Sequence, residues 1–223
     1  MVKVGINGFG RIGRLILRAL LENYKGKIQV VGINDLGSVE TNAHLIKYDS
    51  THGILNHDVK TTSDGFRIGD QNIKVFAERD PAKLPWGKVG ADVVLECTGF
   101  FLDKASAGKH IQAGAKKVII SAPAKEVDFT LVQGVNSKEL KKDHNIISNG
   151  SCTTNCLAPV AMVLEKTFGI TYGYMTTIHS YTGDQKLLDT LHKDLRRARA
   201  TEGSMIPTST AVSYTHLTLP TKA

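Results

Sequence analysis

A glycine-rich turn near the amino terminus constrains the fold of this chain more than any other segment. Residues 7–13 read Asn-Gly-Phe-Gly-Arg-Ile-Gly and connect a short apolar run, 2–6, to a segment with the apolar spacing of a helix, 14–21. A second apolar run, 28–33, follows and ends in an Asn-Asp pair. Strand, glycine turn, helix and strand in this order predict a parallel βαβ unit that binds a dinucleotide.

The glycines of this turn have separate predicted roles. Gly8 permits the tight turn, Gly10 lets the backbone approach a pyrophosphate at the helix N-terminus, and Gly13 allows helix and strand to pack closely. Asp35 is expected to hold a ribose diol, and its charge favours NAD because it would repel the 2′-phosphate of NADP. The alternatives are a purely structural turn and a capping role for Asp35. The predicted cofactor-binding residues of this unit are Gly8, Gly10, Arg11, Ile12, Gly13 and Asp35.

Four later apolar runs continue the predicted sheet, at 72–76, 92–96, 117–120 and 145–147. Ligands of doubly wound sheets bind at the carboxyl ends of the strands. Residues 1–150 are therefore predicted to form an α/β, doubly wound, Rossmann-type NAD-binding domain.

Three residues near these strand ends are candidate cofactor contacts. Thr98 and Ser121 each follow one of the predicted strands, although either could serve equally well in a turn or a cap. Arg79 either stacks on the adenine or is simply exposed. Cys97, beside Thr98, is predicted to lie in the core.

A thiol lies at the start of a further predicted helix. Residues 151–156 read Ser-Cys-Thr-Thr-Asn-Cys and directly precede the apolar run 157–164. Unpaired N–H groups at a helix start carry partial positive charge, which favours the thiolate of Cys152. The alternative is a small buried residue, since free cysteine is often buried. Cys156 is interpreted as a packing residue or a secondary redox site.

Residues 170–180 have a rough alternation and β-branched content that predict a strand, with His179 near its end. If the fold brings His179 to Cys152, the two form a nucleophile and its base; a structural histidine is the alternative. Cys152 and Cys156 lack further ligands at metal-binding spacing, so no metal site is predicted. The basic cluster 196–199 is either a solvated loop or a binding site for small-molecule phosphate groups.

Composition limits the classes of function. The chain has 223 residues, a length that suits two domains, and 41% hydrophobic content, which supports a globular core. Its net charge of +7 is scattered and interleaved with acids, which argues against nucleic acid as the main partner. Three cysteines, no signal segment and no long apolar stretch predict a cytoplasmic protein without membrane association.

Taken together, these motifs resemble phosphorylating glyceraldehyde-3-phosphate dehydrogenases of bacterial type. The motifs follow one another in the family's order from residue 1 to about residue 210. The segments that carry the resemblance are 7–14, 33–36, 47–50, 96–101, 121–123, 148–156, 179–182 and 195–199. The resemblance implies a glycolytic oxidoreductase that converts glyceraldehyde 3-phosphate and inorganic phosphate to 1,3-bisphosphoglycerate with NAD, and a homotetramer at full length. Erythrose-4-phosphate dehydrogenase and a non-catalytic protein that binds NAD or RNA are the alternatives.

The resemblance also implies roles for individual residues. Cys152 corresponds to the nucleophile that forms a thiohemiacetal and then a thioester, and His179 corresponds to its base. Ser151 and Thr153 match positions that contact the attacking phosphate. Thr182 and Arg197 match the anion-binding sites near the substrate.

Two segments depart from the family pattern. Thr190 and Leu191 stand where the family usually has a proline-containing pair, in the loop that approaches the cofactor of a neighbouring subunit. Residues 211–223 do not resemble the family and are interpreted as a foreign or frame-shifted tail. Residues 151–210 are then the beginning of an α+β catalytic domain, and the truncated chain is expected to be inactive.

Overall fold

The computed structural model of the chain describes residues 1–203 and 205–210. The chain divides into two compact units, with the boundary between Ser151 and Cys152. Over the described residues, no helix combines the length and the apolar character needed to cross a membrane.

The first unit is built on a nine-stranded sheet. In chain order its strands are β1 (Val2–Asn7), β2 (Ile28–Asn34), β5 (Val59–Thr62), β6 (Gly65–Ile68), β7 (Gln71–Phe76), β8 (Val93–Glu96), β9 (Lys117–Ile120), β10 (Phe129–Thr130) and β11 (Ile146–Ser148). A separate short hairpin consists of β3 (Tyr48–Asp49) and β4 (Gly53–Ile54).

The described helices are α1 (Arg11–Asn23), α2 (Val39–Lys47), α3 (Trp86–Val89), α4 (Lys104–Ala107), α5 (Lys109–Gln112) and α6 (Cys152–Phe168). Helix α1 begins directly after the glycine turn and buries Leu17 and Leu21, one turn apart. These side chains join Ile6 of β1 and Ile33 of β2 in the largest core cluster. Helix and strands therefore pack as the apolar spacing of the sequence predicts.

The strand order is β10-β11-β9-β8-β1-β2-β7-β6-β5. All neighbours from β10 to β7 pair in parallel, whereas β6 and β5 add an antiparallel hairpin at one edge. From β1 the chain passes to β2, then to the outer edge at β5 and back through β6 to β7, before it crosses to the other side of β1 with β8. The point of reversal lies between β1 and β8, where Asn7 pairs in register with Glu96. This is the doubly wound topology, and ligand crevices form at such reversals.

The second unit contains α6 and a 3-10 turn, Leu195–Ala198. No strand occurs among its described residues, so the prediction of a strand over 170–180 is wrong for this structure. An isolated strand leaves its backbone N–H and C=O groups unpaired, and alternation alone does not supply a partner. Tyr174 and Ile178 of this segment have exposures of 103% and 92%, so neither side chain packs in a core.

Candidate active site

The glycine turn packs directly against the loop that follows β8. Gly8 has a φ of +90°, a left-handed conformation that other residues rarely adopt. A Cβ atom at Gly8 would lie 2.7 Å from the backbone nitrogen of Thr98. Gly8 is therefore required both for the turn and for the close approach of the two loops.

Gly13 and Gly10 serve different purposes in this turn. A Cβ atom at Gly13 would lie 2.2 Å from the carbonyl oxygen of Gly8 in the turn and 3.1 Å from Cγ2 of Ile6 in β1, so glycine is needed for the helix to pack this closely on the turn and the strand. A Cβ atom at Gly10 would meet no atom within 4 Å. Gly10 thus borders open space at the start of α1, where the first N–H groups of the helix have no intrahelical acceptor. These N–H groups and the helix dipole suit an anionic ligand.

Asp35 follows β2 directly and is partly exposed. Its Oδ2 accepts a hydrogen bond of 2.8 Å from the Phe9 N–H, and its Oδ1 accepts one of 2.8 Å from the Gly37 N–H. A carboxylate has further lone pairs, so this one can still accept bonds from a diol. Asp35 does not cap α2, because the Oγ of Ser38 accepts from the Thr41 N–H at 3.2 Å. The turn, the helix start and this carboxylate together fit a dinucleotide.

The other predicted cofactor residues of the first unit differ in their surroundings. The guanidinium of Arg11 lies 2.9 Å from Asp49, so its side chain is already paired. Ile12 and Arg79 are exposed. The Ser121 N–H donates to the carbonyl oxygen of Glu96 at 3.0 Å.

Cys97 packs against the main core cluster, as the sequence predicts. Burial raises the pKa of its thiol to about 12, with the hydroxyl of Ser121 acting in the opposite direction. A thiol of this kind stays protonated near neutral pH. Cys97 is therefore a packing residue and not a second nucleophile.

A buried polar network beneath the crevice was missed by the sequence analysis. Glu96 and His110 have fully buried side chains, and Glu96 Oε2 lies 3.0 Å from His110 Nε2. The same carboxylate oxygen accepts from Asn7 Nδ2 at 2.5 Å. Asn7 Oδ1 in turn accepts from Asn34 Nδ2 at 2.7 Å, and the indole N–H of Trp86 donates to His110 Nδ1 at 2.9 Å. Asn7 and His110 thus contact the carboxylate directly, and Asn34 and Trp86 join the network through them.

In the second unit, Cys152 is the first residue of α6, and its side chain is exposed. Its sulfur lies 3.1 Å from Nε2 of His179. The prediction that the fold brings these two side chains together is confirmed, although an irregular segment and not a strand carries His179. The alternative of Cys152 as a small buried residue is wrong.

The surroundings of Cys152 favour its thiolate. Partial burial raises the pKa of Cys152, but the hydrogen bond and charge of His179, with bonds from Thr153, outweigh burial and lower it below the usual thiol range. The pKa of His179 is raised, first by its bond to the carbonyl of Ser180 and then by Cys152. Each group therefore favours the charged form of the other, as in a thiolate–imidazolium pair.

The candidate phosphate-binding residues differ in burial and in hydrogen-bond partners. Thr153 is buried and bonds to the sulfur of Cys152, and Ser151 is buried in the first unit. Thr182 is exposed, and its N–H donates to the side chain of Gln185 at 3.0 Å. The guanidinium of Arg197 pairs with Asp184 and also donates to the Thr208 hydroxyl at 2.6 Å. Arg197 would have to exchange these partners to bind a phosphate.

The described residues contain no group of three or more His, Cys, Asp or Glu side chains arranged to hold a metal ion. The contact of Cys152 with His179 supports the chemistry of an activated thiol in the second unit, and the open space at Gly10 supports a dinucleotide crevice in the first.

Comparison with protein families gives two matches. Residues 2–104 match the family model described as the glyceraldehyde 3-phosphate dehydrogenase NAD binding domain. Residues 151–220 match the C-terminal domain of the same family. The second match runs beyond residue 210, where the motifs noted above end. Residues 211–223 lie outside the described residues, so their interpretation as a non-family tail stays a prediction.

Curated relatives agree with these matches. A glyceraldehyde-3-phosphate dehydrogenase of Xanthobacter flavus is 57% identical over 220 residues, which cover 98% of this chain and 66% of the relative. One from Streptomyces coelicolor is 55% identical, covering 98% of this chain and 66% of the relative. Glyceraldehyde-3-phosphate dehydrogenase 1 of Bacillus subtilis is 56% identical, covering 98% and 65%. The chain thus spans slightly less than two thirds of the length of these relatives.

Proposed function

The chain belongs to the glyceraldehyde 3-phosphate dehydrogenase family, and from this premise we propose that its protein oxidises glyceraldehyde 3-phosphate to 1,3-bisphosphoglycerate. Inorganic phosphate is the acyl acceptor and NAD the electron acceptor in this proposal. The observation that carries it is the 3.1 Å contact between the sulfur of Cys152 and Nε2 of His179 at the start of a helix. A thiolate held in this way is a nucleophile suited to an aldehyde.

In the first step, His179 accepts the proton of the Cys152 thiol. The thiolate attacks the aldehyde carbon, a carbon–sulfur bond forms, and the carbonyl oxygen takes the proton from His179. The product is a thiohemiacetal on Cys152. The imidazole is then neutral again and able to act as a base.

In the second step, His179 removes the hydroxyl proton of the thiohemiacetal while the carbonyl group re-forms as a thioester. A bound NAD would supply the acceptor for the hydride that leaves the same carbon. The residues of this chain that would hold it are those of the glycine turn, the start of α1 and Asp35, which fit a dinucleotide by the open space at Gly10 and the half-exposed carboxylate.

In the third step, an oxygen of inorganic phosphate attacks the thioester carbon and expels the Cys152 thiolate. The covalent route keeps the oxidised carbon activated as an acyl group, so its energy passes to the acyl phosphate. We assign Ser151 and Thr153 to the attacking phosphate, and Thr182 and Arg197 to anion binding near the substrate. Family membership supports these assignments.

The test is phosphate-dependent formation of NADH. Because the chain spans about 66% of its relatives, the assay compares the chain itself with a chimera that continues it after residue 210 with the matching part of the Xanthobacter flavus relative. We expect the chimera to turn over glyceraldehyde 3-phosphate only when phosphate is present. A higher turnover of erythrose 4-phosphate that does not require phosphate would favour the related erythrose-phosphate dehydrogenase instead.

We expect the 223-residue chain alone to show a turnover near the background of the NADH assay. The segment that carries His179 has no strand partner among the described residues, and its neighbour Ile178 is 92% exposed. If the segment does not hold His179 firmly, the base is not kept in place relative to the thiol and the substrate. Such positioning lowers the activation free energy of a reaction by on the order of several kcal/mol. Comparable specific activity of the chain and the chimera would contradict this expectation.

The proposal extends to assembly and location. A homotetramer and a cytoplasmic, glycolytic role follow from family membership, and the three free thiols suit a reducing compartment. Native mass spectrometry of the chimera tests the assembly: a tetramer is expected, and a stable monomer at micromolar concentration would contradict it.

A further inference from the structure

We infer that Glu96 is a positioning residue for the cofactor: its buried carboxylate, set by His110 and Trp86, fixes the loop that follows β8 against the glycine turn. This inference rests on the proposed binding of NAD in the crevice of the first unit. Glu96 itself lies beneath the crevice, with an exposure of 1%. Its effect on a ligand would therefore pass through the loops that it holds.

Each oxygen of Glu96 has its own set of donors. Oε1 accepts the backbone N–H of Thr98 at 2.7 Å and also the Thr98 hydroxyl. Oε2 accepts from Asn7 and faces His110 Nε2. Burying a carboxylate is costly unless several donors compensate it, and here four groups surround it. A carboxylate accepts hydrogen bonds but cannot donate one, so every partner must turn a hydrogen toward it.

This arrangement sets the orientation of Thr98. Its hydroxyl hydrogen points to Glu96, so the lone pairs of Oγ1 point away and accept the Phe100 N–H at 3.1 Å. The loop is thereby folded over two successive residues. Because a Cβ at Gly8 would lie 2.7 Å from the Thr98 nitrogen, the same loop forms one wall against the glycine turn.

His110 is held in one tautomer by Trp86. The indole N–H is a donor only, so His110 Nδ1 must accept it, at 2.9 Å. In the neutral ring the proton is then on Nε2, which lies 3.0 Å from Glu96 Oε2 and donates to it. Trp86 is the single tryptophan of the chain, so its indole signal reports on this network alone.

The network lies where the strand order reverses. Asn7 ends β1 and Glu96 ends β8, and the two residues are register partners. Asn34 ends β2 and joins the network through Asn7. The carboxyl ends of three adjacent strands are thus tied together directly below the proposed dinucleotide crevice. A loop fixed in advance binds its ligand without a further ordering cost.

The first test is Glu96→Gln, which keeps the shape of the side chain but replaces one accepting oxygen with an amide NH2 group. This NH2 group then faces hydrogen-bond donors and finds no acceptor among them. Asp92→Asn is the matched control, because Asp92 lies at the opposite end of β8 and pairs with Lys116. Isothermal titration of the chain with NAD should give a Kd about tenfold higher for Glu96→Gln, because a loop that is no longer fixed in advance must be ordered on binding, and a Kd within about twofold of wild type for the control.

The second test separates positioning from packing. In His110→Gln the amide can still donate to Glu96 but offers Trp86 no acceptor; in His110→Asn the amide oxygen can still accept from Trp86 but Glu96 loses its donor. We expect His110→Gln to bind NAD nearly as wild type while the indole N–H resonance shifts. We expect His110→Asn to keep the indole resonance and to bind NAD several-fold more weakly. A packing role would change both signals together in each variant.

The outcomes are distinct. If neither the chain nor the chimera binds NAD, the proposed function fails first and the inference with it. If wild type binds NAD but Glu96→Gln binds equally well, the inference alone is wrong. Should Glu96→Gln fail to fold, the His110 pair decides: opposite effects support the inference, and equal effects on NAD affinity overturn it.

If neither His110 variant folds, two variants of Thr98, on the partly exposed loop, replace them. Thr98→Val must then weaken NAD binding more than Thr98→Ser, and equal affinities would overturn the inference.

Discussion

The sulfur of Cys152 lies 3.1 Å from Nε2 of His179, while Nδ1 of the same ring lies 2.6 Å from the carbonyl oxygen of Ser180. A carbonyl oxygen only accepts, so Nδ1 carries the proton of the neutral ring. Nε2 is then the free acceptor and faces the thiol. The backbone of Ser180 thus prepares His179 to take the proton of Cys152, and it stabilises the imidazolium that results.

Two glycines of the turn should separate stability from ligand binding. Gly13→Ala places a methyl group 2.2 Å from the Gly8 carbonyl oxygen, so we expect the free energy of unfolding to fall by about 1–3 kcal/mol. Gly10→Ala meets no atom within 4 Å and should cost less than about 1 kcal/mol. It should nevertheless weaken NAD binding, because the methyl group enters the space proposed for the pyrophosphate. Urea unfolding and NAD titration of both variants check this, and unimpaired NAD binding by Gly10→Ala would contradict it.

Asp35 should control the choice between NAD and NADP. Asp35→Ala removes the proposed bonds to the ribose diol and the repulsion of a 2′-phosphate, so NAD affinity should fall roughly tenfold while NADP affinity rises. Asp70→Ala, at an exposed position outside the turn, is the control. The readout is the ratio of the two Kd values. A ratio equal to that of wild type would place selectivity elsewhere, with the loop around Thr190 as the next candidate.

Asp128 should contribute to stability above acidic pH. The ammonium of Lys104, at 2.6 Å, lowers the pKa of Asp128 to about 2, with help from the N–H groups of Ile146 and Asn145. A lowered folded-state pKa gives stability that is present above the unfolded value near 4 and is lost as the pH falls toward 2. Because Lys104 is half exposed and solvent screens the pair, we expect the wild-type chain to lose on the order of 1 kcal/mol from this group between about pH 5 and pH 2.

The check is the pH dependence of urea unfolding in wild type and Asp128→Asn. The variant should be less stable near neutral pH and should lose less stability on acidification, while Asp70→Asn should follow wild type. Parallel curves for wild type and Asp128→Asn would show that this carboxylate does not contribute.

Much of the first unit could be predicted because its signals are local. The order of strand, glycine turn and helix specifies the βαβ unit, and the clash that a side chain at Gly13 would cause explains why glycine stands there. The edge hairpin of β5 and β6 was not predicted. Its residues 59–62 are largely polar and exposed, so they carry little apolar alternation.

Features that depend on distant partners were harder to predict. Residues 170–180 have the composition of a strand, but a strand forms only with a neighbour, and the sequence does not say whether one is in place. The Glu96 network was missed for a similar reason, since its partners come from four other segments. A signal existed: Glu96 follows Val94 by two residues, on the buried face of β8. A carboxylate at such a position requires buried donors.

The most direct test of the central claim is the pH dependence of Cys152 alkylation by iodoacetamide, which reacts with the thiolate. A Cys156→Ser background leaves the half-buried Cys97 as the internal reference, and mass spectrometry of separate peptides follows each thiol. Because the pKa of Cys152 is lowered mainly by His179 acting against partial burial, Cys152 should react at pH values below the usual thiol range. His179→Gln should move its profile to higher pH, with Cys97 unreactive throughout. An ordinary thiol profile for Cys152 that His179→Gln leaves unchanged would contradict the assignment of these two residues as nucleophile and base.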